Sequence, residues 1–293
     1  MYDIIIIGGG PAGLTAALYA ARANKNVLVL EAKAFGGRII DASIVSNYPG
    51  VETMSGYEFA DKLYNQVKRL NIEMKLETVL SIDKDKNVYT NKNKYSAKSI
   101  ILCTGTQNKK LKLENEENLI GKGISYCATC DGNFYKNKIV AVIGSGNTAL
   151  EDSLYLSDLA SKVYLIHRKD TFTGDAKLLD EVKEKNNIEI IGNSNITKIN
   201  GIDKLESVVL NNDNEIEVDA LFVAIGQEPN NIMFKNVIDI DSKGFIKTND
   251  GVHTNVKGIY VAGDAREKLL RQLTTAVSDG SIAATVAIRE MED

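Results

Sequence analysis

A single offset of 136 residues aligns the chain with itself, bringing Gly8 onto Gly144, Gly10 onto Gly146, Gly13 onto Ala149 and Glu31 onto His167. In both copies a continuous apolar run of strand length comes first, Asp3-Ile4-Ile5-Ile6-Ile7 in one and Lys138 to Ile143 in the other. A glycine turn follows, Gly8-Gly9-Gly10-Pro11-Ala12-Gly13 and then Gly144-Ser145-Gly146-Asn147-Thr148-Ala149. Next come helix-forming stretches, Leu14 to Ala23 and Leu150 to Ala160, and second apolar runs, Val27 to Leu30 and Val163 to Ile166. Strand, tight turn, helix and strand make up the unit that cradles a dinucleotide. The first glycine makes the turn and the second lets the backbone approach a pyrophosphate. The third lets helix and strand pack closely, and the free N–H groups of the helix start hold the phosphates. Four matches in register dictate an α/β fold with two dinucleotide-binding domains.

The copies differ where the ribose would lie. Glu31 is an acid suited to accept hydrogen bonds from free ribose hydroxyls, as in the adenosine half of FAD. The second copy has His167-Arg168-Lys169, and positive charge there favours the 2′-phosphate of NADP. Near the C-terminus, Gly258-Ile259-Tyr260-Val261-Ala262-Gly263-Asp264 is another buried-strand run, followed by Arg271-Gln272 and a small-residue helix from Thr274 to Ala287. An acid at the carboxyl end of such a strand sits where open α/β sheets bind ligands, so Asp264 is expected at the ribityl or phosphate part of a flavin. The first domain is then discontinuous, 1–108 plus 232–293, with the second, 109–231, inserted in it. Polar stretches at Gln107 to Lys122 and Gly226 to Asn230 form the crossings.

Between the two turns lies Ser125-Tyr126-Cys127-Ala128-Thr129-Cys130-Asp131-Gly132, holding two of the chain's three cysteines. A metal, a structural staple and a redox couple are the alternatives. Beyond the pair only Cys103, His167 and His253 remain as Cys or His ligands, each isolated, so a four-ligand zinc site lacks its second pair. A staple across so short a loop removes little chain entropy. Redox is the leading reading, with Asp131 as a proton source or else a turn residue before Gly132. Cys103, in the apolar Leu102-Cys103-Thr104, reads as a small core residue. The net charge of -4 gives no basic field for nucleic acid. No apolar run approaches the roughly 18 residues needed to span a membrane, and no charged leader precedes the first strand, so a cytoplasmic protein is expected.

Taken in order and spacing, GGGPAG, CATCDG, GSGNTA, HRKD and AGDAREKLLRQLTTAVSDGSIAA resemble the low-molecular-weight thioredoxin reductases over essentially the whole chain. The resemblance implies two Rossmann-like, three-layer ββα domains, with FAD in the discontinuous one and NADPH in the insert. It also implies a homodimer, thioredoxin as partner, and a rotation between domains that presents the thiol pair alternately to flavin and to thioredoxin. By position, Cys130 is the sulfur facing the flavin and Cys127 the one that exchanges with thioredoxin. Gly8, Gly10, Pro11, Ala12, Gly13, Glu31, Gly37, Arg38, Asn47, Thr104, Gly105, Gly263, Asp264, Arg271 and Gln272 fall in the FAD site. Gly144, Gly146, Asn147, Thr148, His167, Arg168 and Lys169 fall in the nicotinamide site.

Two departures from the family pattern matter. The phosphate-gripping segment usually carries HRR and a further Arg, whereas here Lys169 and Thr173 stand at two of those places. Losing a planar fork and a charge weakens the preference for NADPH, leaving NADH or reduced ferredoxin open as donors. Arg38 stands where the family carries Gln, and a cation there is expected to stabilise reduced anionic flavin and raise its potential. A peroxidase-coupled flavoprotein is disfavoured, because only seven residues precede Gly8 and leave no room for an extra dithiol domain. A flavin redox sensor without turnover is the reading from another class; it would leave the second cofactor unit idle.

Overall fold

The computed structural model describes residues 1–42, 45, 47–248 and 251–292. The chain divides into two compact units, Met1–Gln107 with Glu228–Asp293, and Asn108–Gln227. The return into the first unit therefore comes at 228 rather than 232, and Asn231 gives the reason. It is 0% exposed; its Nδ2 donates to the carbonyls of Gly244 (3.0 Å) and Ala265 (2.8 Å), and its Oδ1 accepts from Thr104 Oγ1 at 2.7 Å. A buried amide satisfied this way is part of the first unit's interior. The two crossings, Thr106–Asn108 and Gln227–Pro229, are not loops but pair as a two-stranded ribbon.

In the first unit, Tyr2–Ile7 runs parallel to Val27–Glu31 on one side and Lys94–Leu102 on the other. Glu73–Leu76 extends one edge, and Ile259–Val261 joins Lys94–Leu102 in parallel. The start of Lys94–Leu102 also pairs antiparallel with Asn87–Thr90, which pairs with Val79–Ile82. Side chains alternate across a strand, so Ile4 and Ile6 pack with Leu14, Ala17 and Ala283 of the helices. Ile5 and Ile7 pack on the other face with Val79, Ile82 and Val88. The continuous isoleucine run is thus a strand buried on both faces of a three-layer ββα stack.

The second unit repeats this plan. Ile188–Ile191, Lys162–Ile166, Ile139–Ile143, Ala220–Val223 and Ile124–Ser125 lie in that order in a parallel sheet. Val140 and Val142 face Leu150 and Leu156 of a helix, while Ala141 and Ile143 face Val208 and Leu210 of an antiparallel three-stranded sheet. In both units the helix after the glycine turn starts earlier than its apolar pattern suggested, at Pro11–Arg22 and Asn147–Ser157. The last residues of the glycine turn already form the first helical turn. Pro11 occupies a first-turn position, where its fixed φ suits the helix and its missing N–H costs nothing.

The C-terminal helix, Leu273–Glu292, runs past the expected end at Ala287. Glu290 pins its last turn to the sheet, accepting from Tyr260 Oη at 2.8 Å and lying 2.6 Å from His253 Nε2. The hydrogen bonds from His253 and then Tyr260 hold its carboxyl below the usual 4.5. A depressed carboxylate stabilises the fold above its unfolded pKa, and that contribution is lost as pH falls through the folded value. Glu290→Gln is expected to lower Tm by about 2–4 °C at pH 7, and the difference from the parent should shrink towards pH 3 in thermal melts.

Candidate active site

The first turn is built by close backbone approach. Gly8 has φ +110°, and a Cβ there would lie 2.2 Å from the carbonyl oxygen of Cys103. At Gly10, by contrast, a Cβ would find only Gly37 Cα at 3.7 Å, so the space beside this residue is open on the side where a ligand backbone would lie. Gly37 itself packs directly on Gly10, and Gly263 packs on Ala12. Glu31 fixes the turn from the neighbouring strand: Oε2 accepts from Gly9 N at 2.7 Å and Oε1 from Lys33 N at 2.8 Å. Each oxygen keeps a lone pair for a further donor. Asn47 Nδ2 donates to Gln272 Oε1 at 3.2 Å, joining two predicted site residues that are far apart in sequence.

Asp264 follows the strand Ile259–Val261, as expected, and its surroundings are unusual. Its Oδ1 is buried and has no hydrogen-bond partner. Lys268, Arg271 and Arg38 all act on it electrostatically, yet none donates to its carboxylate, and Arg271 Nε reaches only the Asp264 backbone carbonyl, at 3.4 Å. Lys268 Nζ stays 3.9 Å from Oδ1 and donates to Asp279 at 2.9 Å. Arg271 stacks on Phe245 at 3.8 Å and donates to the carbonyl of Arg266 at 3.0 Å. Arg38 Nη1 donates to Thr106 Oγ1 at 2.9 Å. Burial pushes the Asp264 carboxyl above its ordinary 3.8, and the three cations only partly offset this.

In the second unit Gly144 repeats Gly8, with φ +156° and a Cβ position 2.3 Å from the carbonyl oxygen of Ala224. Gly146 repeats Gly10, with only Thr173 Oγ1 near, at 3.9 Å. The segment that follows the strand folds back over this turn: Thr173 N and Gly174 N donate to Ser145 O at 2.8 and 3.0 Å, and Asp175 N donates to Asn147 Oδ1 at 2.7 Å. Thr173 Oγ1 also donates to Ser145 O at 3.2 Å. Thr148 is exposed at the head of the helix. His167, which its sequence position puts in the nicotinamide site, is buried. It is 4% exposed, lies 4.1 Å from the Phe172 ring, and its Nδ1 has no hydrogen-bond partner. Burial lowers its basicity. Arg168 and Lys169 carry the exposed charge.

Cys127 and Cys130 form a disulfide with Cα atoms 5.3 Å apart, and both are partly exposed at the short helix Ala128–Asp131. Ser125 Oγ donates to Asp131 Oδ2 at 2.7 Å and accepts from Cys127 N at 3.1 Å, tying the acid to the dithiol turn. Tyr126 Oη donates to buried Glu116, which also accepts from Leu111 N and Lys112 N. Cys103 lies in the core, where burial pushes its thiol pKa up and keeps it unreactive. No group of three or more His, Cys, Asp or Glu suited to a metal occurs among the described residues. Sequence reasoning passed over Ser125, Thr106, Asn231 and Asp279, polar residues whose partners only the fold reveals. It also passed over half-buried Asp152, whose carboxyl burial pushes up to about 7, with Glu151 adding to the shift.

Residues 2–280 match the pyridine nucleotide-disulphide oxidoreductase family. The chain belongs to that family. It is 39% identical to a thioredoxin reductase of Mycoplasma genitalium, over 99% of this chain and 95% of that protein. Its fold is similar to that of thioredoxin reductase from Lactococcus lactis, with TM-score 0.87, 36% identity, and 99% and 98% of the two chains covered. A ferredoxin-flavin thioredoxin reductase from Clostridium acetobutylicum matches with TM-score 0.55 and 32% identity, covering 99% and 98%. Family membership implies a flavin and a nicotinamide cofactor. The residues of the first unit fit a flavin nucleotide: Gly10 bears no side chain and a Cβ there would meet only Gly37 Cα at 3.7 Å, and the orphaned Asp264 Oδ1 needs a donor such as a ribityl hydroxyl.

Asp264 yields a signed prediction. Its folded pKa lies above 3.8, so stability is full below the unfolded value and falls as pH rises through the folded one. Asp264→Asn should therefore raise the Tm of flavin-free protein at pH 7, leave it unchanged at pH 3, and weaken flavin retention. An unchanged or lower Tm at pH 7 would contradict this account.

Proposed function

We propose that this protein is a cytoplasmic, homodimeric thioredoxin reductase, with FAD in the unit of residues 1–107 and 228–293 and NADPH in the unit of residues 108–227. The observation that carries the reading is the Cys127–Cys130 disulfide, partly exposed and lying just ahead of the second glycine-turn strand. Relatives named thioredoxin reductase align over nearly the whole chain. Exposed Leu269 and Leu270, beside the C-terminal helix, are the kind of apolar surface a second copy would cover. No described helix is long and apolar enough to cross a membrane.

Bound FAD supplies two-electron transfer from the nicotinamide to the disulfide. The chain's own residues do the rest. Glu31 takes ribose hydroxyls on the lone pairs left free by Gly9 N and Lys33 N, and Asp264 takes a ribityl hydroxyl. Arg168 and Lys169 meet the 2′-phosphate. Once reduced, Cys127 attacks the thioredoxin disulfide as thiolate, forming a mixed disulfide and releasing one thioredoxin thiolate. Cys130 then attacks Cys127 Sγ, restores the Cys127–Cys130 bond and releases the second thiolate. Asp131, whose Oδ2 accepts from Ser125 Oγ, is the residue assigned to proton delivery at the thiol pair.

Serine at Cys127 or at Cys130 is expected to leave flavin absorbance intact and to abolish thioredoxin reduction; turnover retained in both variants would refute the assignment. The donor is read from the rate of flavin bleaching by NADPH, NADH or reduced ferredoxin. Lys169→Ala should raise the NADPH requirement about 10- to 100-fold, as expected for a lost charge-assisted contact, and leave NADH bleaching unchanged. One observation favours a second reading: Thr173, where a further arginine would grip the phosphate, spends its hydroxyl on Ser145 O. Bleaching that is fastest with reduced ferredoxin would establish a ferredoxin-linked reductase instead.

A further inference from the structure

Asp279 lies in the second turn of the helix Leu273–Glu292 and is 5% exposed. Its carboxylate is fully engaged. Oδ2 accepts from Gly263 N at 3.1 Å, Arg266 Nε at 2.9 Å and Lys268 Nζ at 2.9 Å, while Oδ1 accepts from Arg266 Nη2 at 2.9 Å. These are four donor groups on three residues of the segment that carries Asp264, gathered on one acid. The Lys268 side chain is only 6% exposed, so its ammonium has no ready access to water and needs an acid. Two acids are within reach: Asp279, which holds it, and Asp264, whose Oδ1 stands 3.9 Å away and is otherwise unpaired. A shift of about 1 Å would convert that separation into a charge-assisted hydrogen bond. The lysine sits between two carboxylates, and the stronger set of contacts decides which one stays open.

We propose that Asp279 is a positioning residue of the flavin site, which keeps the Asp264 carboxylate available to a ligand hydroxyl by holding Lys268 away from it. The proposal rests on the reading of the first unit as the flavin-binding one. Asp279 acts through its neighbours and does not itself touch the ligand: it fixes the Gly263 amide, clamps Arg266 with both oxygens, and removes the competitor for Asp264 Oδ1. Without its charge, Lys268 turns to Asp264 and occupies the acceptor that the ligand requires. This blockage depends on Lys268, so deleting the lysine should relieve it, whereas general damage to the helix would not be repaired by a second truncation.

The test is reconstitution of the flavin-free protein with FAD, followed by quenching of flavin fluorescence, for the parent, Asp279→Asn, Lys268→Met and the double variant. Circular dichroism and thermal melts of the flavin-free forms establish that each is folded. Asparagine keeps an acceptor oxygen for Gly263 N while losing the charge that holds Lys268. Asp279→Asn is expected to weaken FAD binding 10- to 100-fold, Lys268→Met to change it less than threefold, and the double variant to bind within about threefold of the parent. A double variant that is folded yet binds as weakly as Asp279→Asn overturns the proposal, as does parental affinity in Asp279→Asn. Should Asp279→Asn fail to fold, the other two variants decide: a loss of more than tenfold in Lys268→Met makes the lysine a ligand contact and overturns the proposal, and near-parental binding by both supports it. A parent protein that takes up no FAD overturns the flavin reading itself, and that outcome is distinct from failed rescue.

Discussion

The depth at which parallel strands end governs the rest of the molecule. Cys103 N donates to Ile7 O at 2.7 Å, Gly8 N to Leu30 O at 2.8 Å and Ala262 N to Leu102 O at 2.9 Å, so neighbouring strands in the first unit finish at one level. Gly8, Thr104 and the Gly263-Asp264 pair are consequently delivered to the same carboxyl edge, although they come from chain segments that are far apart. The approach is so close that only a residue without a side chain fits at Gly8. In the second unit Gly144 N donates to Ile166 O at 3.0 Å and Ala224 N to Ile143 O at 2.8 Å, and the same edge appears. Ligand sites of open α/β sheets belong there because the helix starts and the loose loop polar groups converge on it.

On that common frame the two units are distinguished by how charge is buried. In the first, Glu31 is anchored by two backbone amides and still faces outward, and Asp264 is surrounded by cations none of which donates a hydrogen bond to its carboxylate. In the second, the position that aligns with Glu31 is a histidine turned inward against Phe172, and the positive charge passes to the two residues after it. A buried acceptor left without a donor is costly for a protein that must be stable without its ligand. It is useful only if a ligand supplies the missing donor, and on the flavin reading proposed above the first unit gives up some stability in the ligand-free state for recognition.

Much of this was legible in the residues because the constraints are local. The isoleucine run, the two glycine turns and the constant offset between them specify strand, turn and helix without reference to anything distant, and the core follows from side-chain alternation. The register of Gly8 against Gly144 carried the domain duplication. Features that depend on remote partners were not legible. Asn231 is counted with the insert until Thr104, Gly244 and Ala265 close around it, and that placed the return into the first unit a few residues late. His167 reads as a charged strand end until Phe172 folds over it. Asp279 sits in a run of small residues typical of a tightly packed helix, and nothing in that run signals the cations eleven and thirteen positions earlier that it binds.

The ribbon formed by Thr106–Asn108 and Gln227–Pro229 has an evolutionary consequence. Lys109 N donates to Gly226 O at 3.0 Å, so the second unit begins and ends at a single point. A cassette whose ends touch can be set into a surface turn of a host domain without prising the two sides of that turn apart, and it can be exchanged for another in the same way. The doubled architecture of this chain therefore needs no more than one duplication and one insertion.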